Sequence, residues 1–127
     1  MGFTFSQRSL NNLSGVHPDL VKVVRRALEI TDTDFAVIEG LRSKERQAEL
    51  VKAGASQTMN SRHITGHAVD LAAVVGGAIR WDWPLYERIA KAVKTASAEL
   101  KVAIVWGGSW KSFPDGPHFE LDRKVYP

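Results

Sequence analysis

The chain contains no cysteine among its 127 residues, and this absence removes several classes of chemistry. Disulfide bonds, zinc sites built from thiolates and a cysteine nucleophile are all excluded. A chain without cysteine also carries no mark of its redox compartment. No apolar run approaches the roughly 20 residues that a membrane-spanning helix requires, so no transmembrane segment is predicted.

Signals for targeting and for modular organisation are also missing. The N-terminal MGFTFSQRSLNN has no charged segment followed by an apolar one, so no ordinary signal peptide is predicted. Without repeats or a Pro/Ser-rich linker, we predict a single domain over residues 1–127, long enough to bury its own core. The net charge of +3 fits a slightly basic surface. A nucleic-acid binder is not favoured, because there is no recognition motif or dense Lys/Arg stripe.

Hydrophobic periodicity and turn residues predict elements in the order α-β-α-β-β-α-β-β. Pro18, Ser43 and Pro84 are placed to begin the helices. The predicted helices cover residues 17–30, 44–53 and the stretch from Pro84, and the predicted strands cover 35–40, 67–75, 78–81, 101–106 and 118–121. Because regular βαβ alternation is absent, this order favours an α+β fold, with a small, mostly antiparallel sheet and flanking helices.

The segment SRHITGHAVDLAA carries two histidines close to an aspartate. In a strand over residues 68–74, Asp70 shares a face with Ala68 and Ala72, whose small side chains leave room around the carboxylate. A glycine lets the chain bend so that His63 can swing back toward this face. Taken singly, Asp70 at a sheet edge and His63 on a surface loop have ordinary structural explanations, so a metal site requires further ligands.

His67 offers a different arrangement of ligands, which the sequence does not support. His63 and His67 have the i, i+4 spacing of a helical zinc motif, but that motif requires a glutamate directly after the first histidine. Ile64 occupies that position, and Thr65 and Gly66 make the segment a poor helix. We therefore interpret His67 as a neighbour of the site, not as a ligand.

A further ligand is expected near the C-terminus, in WGGSWKSFPDGPHFEL. In the strand HFEL the two apolar side chains alternate toward the core, which leaves His118 and Glu120 on the opposite face. Asp115 stands three residues before His118, and the intervening Gly-Pro predicts a tight turn. Two imidazole nitrogens and one carboxylate oxygen suit a catalytic zinc ion with an open coordination position, beside which Asp115 would act as the general base.

Two ordered motifs carry a resemblance to a known family. SRHITGHAVD fits the pattern S-x-H-x-x-G-x-A-x-D, and DGPHFE fits an acidic residue followed by x-x-H. Both are typical of zinc peptidases of the D-Ala-D-Ala type, the VanX/VanY-like enzymes that share a fold with Hedgehog signalling domains. GLRSKERQ and WGGSW resemble two further segments of phage endolysins that are L-alanyl-D-glutamate peptidases. The resemblance covers nearly the whole chain.

Carried over position by position, the resemblance implies the roles of five residues. The zinc ligands fall on His63, Asp70 and His118, the catalytic acid/base on Asp115, and a substrate-polarising arginine on Arg42. The guanidinium of Arg42 would stabilise the oxyanion of a tetrahedral intermediate. An ion pair with a nearby carboxylate is the alternative explanation for this arginine.

The resemblance also implies residues around the substrate. Ser61 and Gln47 match positions near it, Trp106 and Trp110 would wall the cleft, and Glu120 would orient a ligand histidine. Other roles stay open for several of these residues. The tryptophans could pack in the core, Gln47 could lie on a helix surface, and Glu120 could face solvent.

Two positions depart from the family patterns. Ser109 stands where many of these endolysins carry an aspartate, and no role is assigned to it. Asp115 stands where the dipeptidase relatives use glutamate. Because aspartate is shorter by one methylene, the turn must bring it closer to the metal, and this favours the endolysin branch over the dipeptidase branch.

The resemblance implies a zinc-dependent peptidoglycan endopeptidase that cleaves the L-Ala–D-Glu bond of the stem peptide and serves host cell lysis, as an antimicrobial phage or prophage enzyme. It also implies a monomer without a separate wall-binding module, which accumulates in the host cytoplasm and acts in the periplasm after release. Two alternatives stay open: a D,D-carboxypeptidase that trims the terminal D-Ala, and a catalytically inactive binding module on the same fold. The presence of Asp115 and Arg42 argues against the inactive module.

Overall fold

Four helices and a five-stranded sheet make up the part of the chain that the computed structural model describes, residues 3–55, 61–111 and 114–127. The helices are α1 (Gln7–Leu13), α2 (Pro18–Ile30), α3 (Lys44–Lys52) and α4 (Trp83–Leu100), and the strands are β1 (Phe35–Glu39), β2 (Ala68–Val75), β3 (Ala78–Arg80), β4 (Ile104–Trp106) and β5 (His118–Leu121). All the predicted elements are present, and the α+β class is confirmed. None of the helices in these described ranges is long and apolar enough to cross a membrane.

Helix α1 is absent from the predicted order, because QRSLNNL lacks an apolar stripe. Its hydrogen bonds explain why it forms. The Ser6 side chain caps its first turn by accepting from Ser9 N. Ser9 Oγ in turn accepts from Val37 N at 3.0 Å, and Asn12 Nδ2 donates to Val37 O at 2.8 Å. These two bonds give partners to the backbone N–H and C=O of Val37 on the outer edge of β1, which is an end strand of the sheet.

The core lies between the helices α2 and α4 and one face of the sheet. Leu20, Val24 and Leu28 form an apolar stripe on α2 and are buried. The other buried side chains of this core include Ile89 and Val93 from α4, Val69 and Leu71 from β2, and Phe119 and Leu121 from β5. Because alternate residues of a strand face opposite sides, this packing directs Asp70, His118 and Glu120 to the other face.

The sheet has the order β1-β2-β5-β4, with β3 also paired to β2, and every pair is antiparallel. Asp70 is the register partner of His118, and Ala68 is the partner of Glu120. Strand β4 is shorter than the strand predicted over residues 101–106. Lys101 adopts a left-handed conformation with φ of 57° and ends helix α4, so the strand begins only after it. The pairing of β2 with β5 is what positions the candidate site.

Candidate metal centre

Two strands and one loop bring His63, Asp70 and His118 together. Asp70 on β2 lies beside His118 on β5, and His63 precedes β2 in a loop where Gly66 has a φ of 75°. Asp70 Oδ1 lies 3.3 Å from His63 Nε2 and 3.4 Å from His118 Nδ1. One ligand atom from each residue lies within 4.8 Å of the others, and the described residues contain no other such group. The three predicted ligands therefore converge.

The hydrogen-bond partner of each imidazole's outer nitrogen determines whether the inner nitrogen carries a hydrogen or a lone pair. His63 Nδ1 lies 2.9 Å from Gly40 O, and because a carbonyl can only accept, Nδ1 carries the hydrogen and Nε2 faces inward with its lone pair. His118 Nε2 lies 2.9 Å from Glu120 Oε1, so in the neutral ring Nε2 carries the hydrogen and Nδ1 faces inward with its lone pair. Asp70 Oδ1 is buried and has no hydrogen-bond partner among the described residues. Three acceptors around one point require a cation, so these residues fit a divalent metal ion such as zinc.

The electrostatics of the metal-free group lead to the same conclusion. Burial opposes ionisation of Asp70, but the facing imidazoles of His118 and His63 hold the pKa of that carboxyl well below its usual range. Burial likewise acts to lower the pKa of His118, but the Asp70 and Glu120 carboxylates raise it to about 9. The group thus favours positive charge between the carboxylate and the two rings, which a proton or a metal ion can supply.

Asp115 begins the predicted tight turn into β5. His118 N donates to Asp115 O at 3.2 Å, and Asp115 N donates to Gly107 O at 3.0 Å. A Cβ at Gly107 would lie 2.6 Å from Asp115 O, so the close approach of these two loops requires glycine there. Burial, together with the charge of Asp70, raises the pKa of Asp115 above its ordinary value. A raised pKa suits a carboxylate that takes up and returns a proton near neutral pH.

Arg42 is buried, and two side chains hold its guanidinium in place. Nε and Nη2 donate to the Glu39 carboxylate at 2.7 and 2.8 Å, and Nη1 donates to Gln47 Oε1 at 2.6 Å. Nη2 also lies 3.7 Å from Asp70 Oδ2. The ion pair considered as an alternative is therefore present, and it fixes the guanidinium beside His63, Asp70 and His118, the candidate metal-binding group. Gln47 is buried against this arginine and does not lie on a helix surface.

Glu120 is buried too, which excludes the solvent-facing alternative. Its Oε1 lies 2.9 Å from His118 Nε2, and its Oε2 accepts from Arg123 Nε at 3.3 Å and lies 3.9 Å from Arg62 Nε. Burial acts to raise the pKa of Glu120, but the hydrogen bonds from His118 and Arg123 lower it below its ordinary value. An ionised carboxylate on the outer nitrogen of His118 is the arrangement that the predicted orienting role requires.

The two tryptophans expected in the cleft lie in different places. The Trp110 ring is 5.0 Å from the His118 imidazole and lines the cavity in front of the metal-binding group. Trp106 instead stacks on Phe119 at 6.4 Å between ring centroids, and its Nε1 donates to Gly116 O at 2.7 Å. The structure places Trp106 behind the turn, where it packs on the core, which is the alternative to the cleft that the sequence left open, and supports the chain between Asp115 and β5.

Three other polar residues of the segments that carry the resemblance lie in different places relative to the cavity: Ser61, His67 and Ser109. Ser61 lines the cavity, and its Oγ accepts from His63 N at 3.2 Å. Ser109 is exposed and donates to a backbone carbonyl three residues earlier, at 2.8 Å. The ring of His67 lies 5.5 Å from that of His17, and His67 is not part of the metal-binding group.

A cavity of about 640 Å³ opens in front of the metal-binding group. Besides the residues already described, its wall includes Trp81, Arg62 and Arg123, which the sequence does not single out. Arg62 stands at a variable position of its motif, and Arg123 lies beyond the last one. Trp81 belongs to the aromatic-rich stretch RWDW, the one signal that could have drawn attention to it. The alanines beside Asp70 are fully buried, so these other residues form the cavity wall.

The α+β domain has the fold of D-Ala-D-Ala peptidases. The vancomycin resistance D,D-dipeptidase VanXYg, solved with a D-Ala-D-Ala phosphinate analogue, superposes with a TM-score of 0.57 at 20% identity, over 84% of this chain and 50% of that one. This likeness shows the shared fold alone. The chain matches the family of phage L-alanyl-D-glutamate peptidases over residues 1–126, and it belongs to that family.

Two relatives are similar over nearly their full length. The L-alanyl-D-glutamate peptidase of Escherichia phage T5 is 35% identical over 130 residues, which cover 99% of this chain and 94% of that protein. The crystal structure of the Serratia marcescens L-Ala D-Glu endopeptidase ChiX superposes with a TM-score of 0.92 at 51% identity, over 98% of this chain and 94% of that one.

Proposed function

We propose that this chain is a zinc-dependent endopeptidase that hydrolyses the L-Ala–D-Glu bond of peptidoglycan stem peptides. The observation that carries the proposal is the convergence of three acceptor atoms, from His63, Asp70 and His118, beside the cavity that Asp115 and Arg42 also line. The names of the T5 and ChiX relatives specify the same bond. The family match over residues 1–126 supports treating residues 1–127 as one zinc peptidase domain.

The side chains divide the chemistry between them. Zinc held by the two histidines and Asp70 would supply a Lewis acid that polarises the scissile carbonyl and makes water more acidic. The Asp115 carboxylate takes the proton of the attacking water and delivers it to the leaving amine. Its raised pKa and its place in the turn before His118 support this assignment.

Arg42 stabilises the negative charge that develops on the carbonyl oxygen. Its Nη1 has two hydrogens and donates one of them to Gln47, so among the described residues the other is available for a substrate oxygen. Glu39 holds the opposite side of the guanidinium and prevents it from swinging away. Ser61 and Trp110 contact the substrate from the cavity wall, and Glu120 keeps the His118 ring in the orientation that binds the metal.

Digestion of purified peptidoglycan, with mass spectrometry of the products, tests this function. Release of peptides with a new D-Glu amino terminus is the expected result. Release of free D-Ala would instead identify a D,D-carboxypeptidase, whose metal chemistry is the same. Intact peptidoglycan after incubation with zinc-loaded protein would indicate the inactive binding module and would overturn the proposal.

The biological role that follows is lysis of a host bacterium by a phage or prophage. The support is the phage family to which the chain belongs and its T5 relative. On this proposal the protein accumulates in the host cytoplasm and reaches peptidoglycan in the periplasm only after the inner membrane is opened. Expression of this protein together with a pore-forming protein should therefore lyse a Gram-negative host. Cells that express this protein without the pore-forming protein should continue to grow.

A further inference from the structure

The cavity carries two further features, one aromatic and one cationic, on opposite sides of the metal-binding group. Strand β3 pairs with residues 73–75 of β2, and β5 pairs with residues 68–70. Because β1 occupies the other edge of β2, β3 and β5 share one edge and lie end to end along it. Trp81 follows β3 and so lies near the start of β5, whereas Arg123 lies beyond the end of β5. Both line the cavity.

Trp81 presents an exposed flat ring at the first of these ends. It is 56% exposed although it is a large apolar side chain. Its ring lies 6.5 Å from that of Tyr86, and its neighbours Arg80 and Asp82 are joined by an ion pair at 2.6 Å. An indole face that stays open beside a cavity suits the apolar face of a sugar ring.

Arginines mark the other end. The Arg123 side chain is 63% exposed, and only its Nε has a partner among the described residues, the Glu120 carboxylate. Arg62 lines the same end of the cavity; its Nη2 donates to Leu121 O and Tyr126 O at 3.2 and 2.6 Å, and its buried Nε has no hydrogen-bond partner among the described residues. Two guanidinium groups therefore face a single carboxylate, which leaves an excess of positive charge at this end of the cavity. The free nitrogens of Arg123 can form the paired hydrogen bonds that a carboxylate accepts.

The substrate carries a sugar on one side of its scissile bond and a free carboxylate on the other, which matches the indole and the arginines at the two ends of the cavity. In a stem peptide, L-Ala is joined to the lactyl group of muramic acid, so a sugar precedes the scissile bond by one residue. D-Glu continues the chain through its γ-carboxyl, so its α-carboxylate is free next to the scissile nitrogen. Resting on the function proposed above, we propose that the stem peptide binds with its muramic acid against Trp81 and with the α-carboxylate of D-Glu against Arg123.

Four matched substrates test the two ends separately: a stem peptide with and without N-acetylmuramic acid, each containing either D-Glu or its α-amide, D-isoglutamine. Arg123→Ala should lower kcat/KM about fivefold more on the D-Glu substrates than on the D-isoglutamine substrates, and this ratio is the readout because Arg123 also holds Glu120. Trp81→Ala should lower kcat/KM about fivefold on the sugar-bearing substrates and leave the sugar-free ones unchanged. The part of each loss that depends on the substrate should appear in KM, since neither residue touches the reacting atoms.

Matched controls distinguish binding from a general loss of structure. Arg88→Ala and Trp83→Ala remove an exposed arginine and an exposed tryptophan that do not line the cavity, and should leave both substrate preferences intact. Arg123→Lys and Trp81→Phe should recover part of the lost preference. Equal losses on paired substrates, or an Arg123 effect that follows the sugar, would overturn the proposed orientation. Failure of the wild-type protein to cleave any of the four would instead refute the proposed function.

Discussion

At the scale of single residues, the candidate ligands and Asp115 differ in the atoms that they present. The ligands turn acceptor atoms toward one point, whereas Asp115 lies in the adjoining turn with a raised pKa. Asp115→Asn should therefore keep the fold and the zinc content and lose activity, because an amide cannot accept a proton at neutral pH. The expected loss is about 100- to 10,000-fold in turnover of peptidoglycan.

Zinc content and turnover must be measured on the same preparation of this variant. Turnover above about a tenth of the wild-type value would contradict a proton-transfer role. Loss of zinc would make Asp115 a ligand. The base would then have to be sought elsewhere, with Glu120 the next acidic side chain in the cavity wall.

Two histidines of the two motifs, His118 and His67, should differ in their effect on the metal. His118→Ala removes a lone pair that faces Asp70 Oδ1 at 3.4 Å, and should abolish stoichiometric zinc. His67→Ala is the matched control, because His67 lies outside the metal-binding group and should keep a full equivalent. Elemental analysis of both purified variants provides the measurement. A full equivalent of zinc in His118→Ala would refute the ligand assignment.

At the scale of elements, the close contact between the loop after β4 and the turn before β5 sets the position of Asp115. In Gly107→Ala the added Cβ would lie 2.6 Å from Asp115 O and 2.9 Å from His118 Cβ. The turn must shift, and a displacement of about 1 Å in a catalytic group costs on the order of a hundredfold in rate. We expect kcat to fall by this order while circular dichroism shows the fold retained.

Gly54→Ala, just after the end of α3 and outside this loop and turn, is the control for Gly107→Ala. Gly54 has a φ of 78°, and none of the described residues lies within 4 Å of its added Cβ, so alanine there introduces backbone strain but no collision with them. It should cost about 1 kcal/mol of unfolding free energy and leave kcat unchanged. If both variants lost activity in proportion to their loss of stability, the steric account of the turn would be wrong.

Some elements and site residues could be predicted from local sequence, and others could not. Strand alternation in HAVDLAAVV and HFEL was sufficient to place Asp70 and His118 on one face, and the Gly-Pro turn to place Asp115. Helix α1 could not be predicted, since its stability comes from hydrogen bonds to Val37 in β1, far along the chain. The sequence left Trp106 open between the cleft and the core, because a motif does not specify which side of a turn a side chain occupies.

At the scale of the whole molecule, the metal would tie the loop before β2 to β2 and β5, while the hydrophobic core lies on the other face of the sheet. Removal of zinc should therefore lower the unfolding temperature without unfolding the protein. A ligand that binds only the folded state contributes about 2.7 kcal/mol when its free concentration is 100 times its dissociation constant. Thermal unfolding with and without a chelator measures this difference, and His118→Ala should show none.

This stabilisation by zinc should depend on pH in a definite direction. In the metal-free protein the carboxylates of Asp70 and Glu120 outweigh burial and raise the pKa of His118 to about 9, so this imidazole is protonated at neutral pH. Zinc requires the neutral ring and must displace that proton. Below about pH 9, each unit of acidification should therefore reduce the stabilisation by about 1.4 kcal/mol, and above it the effect should level off. Unfolding of zinc-loaded and metal-free protein, compared between about pH 6 and pH 9, tests this. A difference in unfolding free energy that stays constant over that range would show that no protonated histidine competes with the metal.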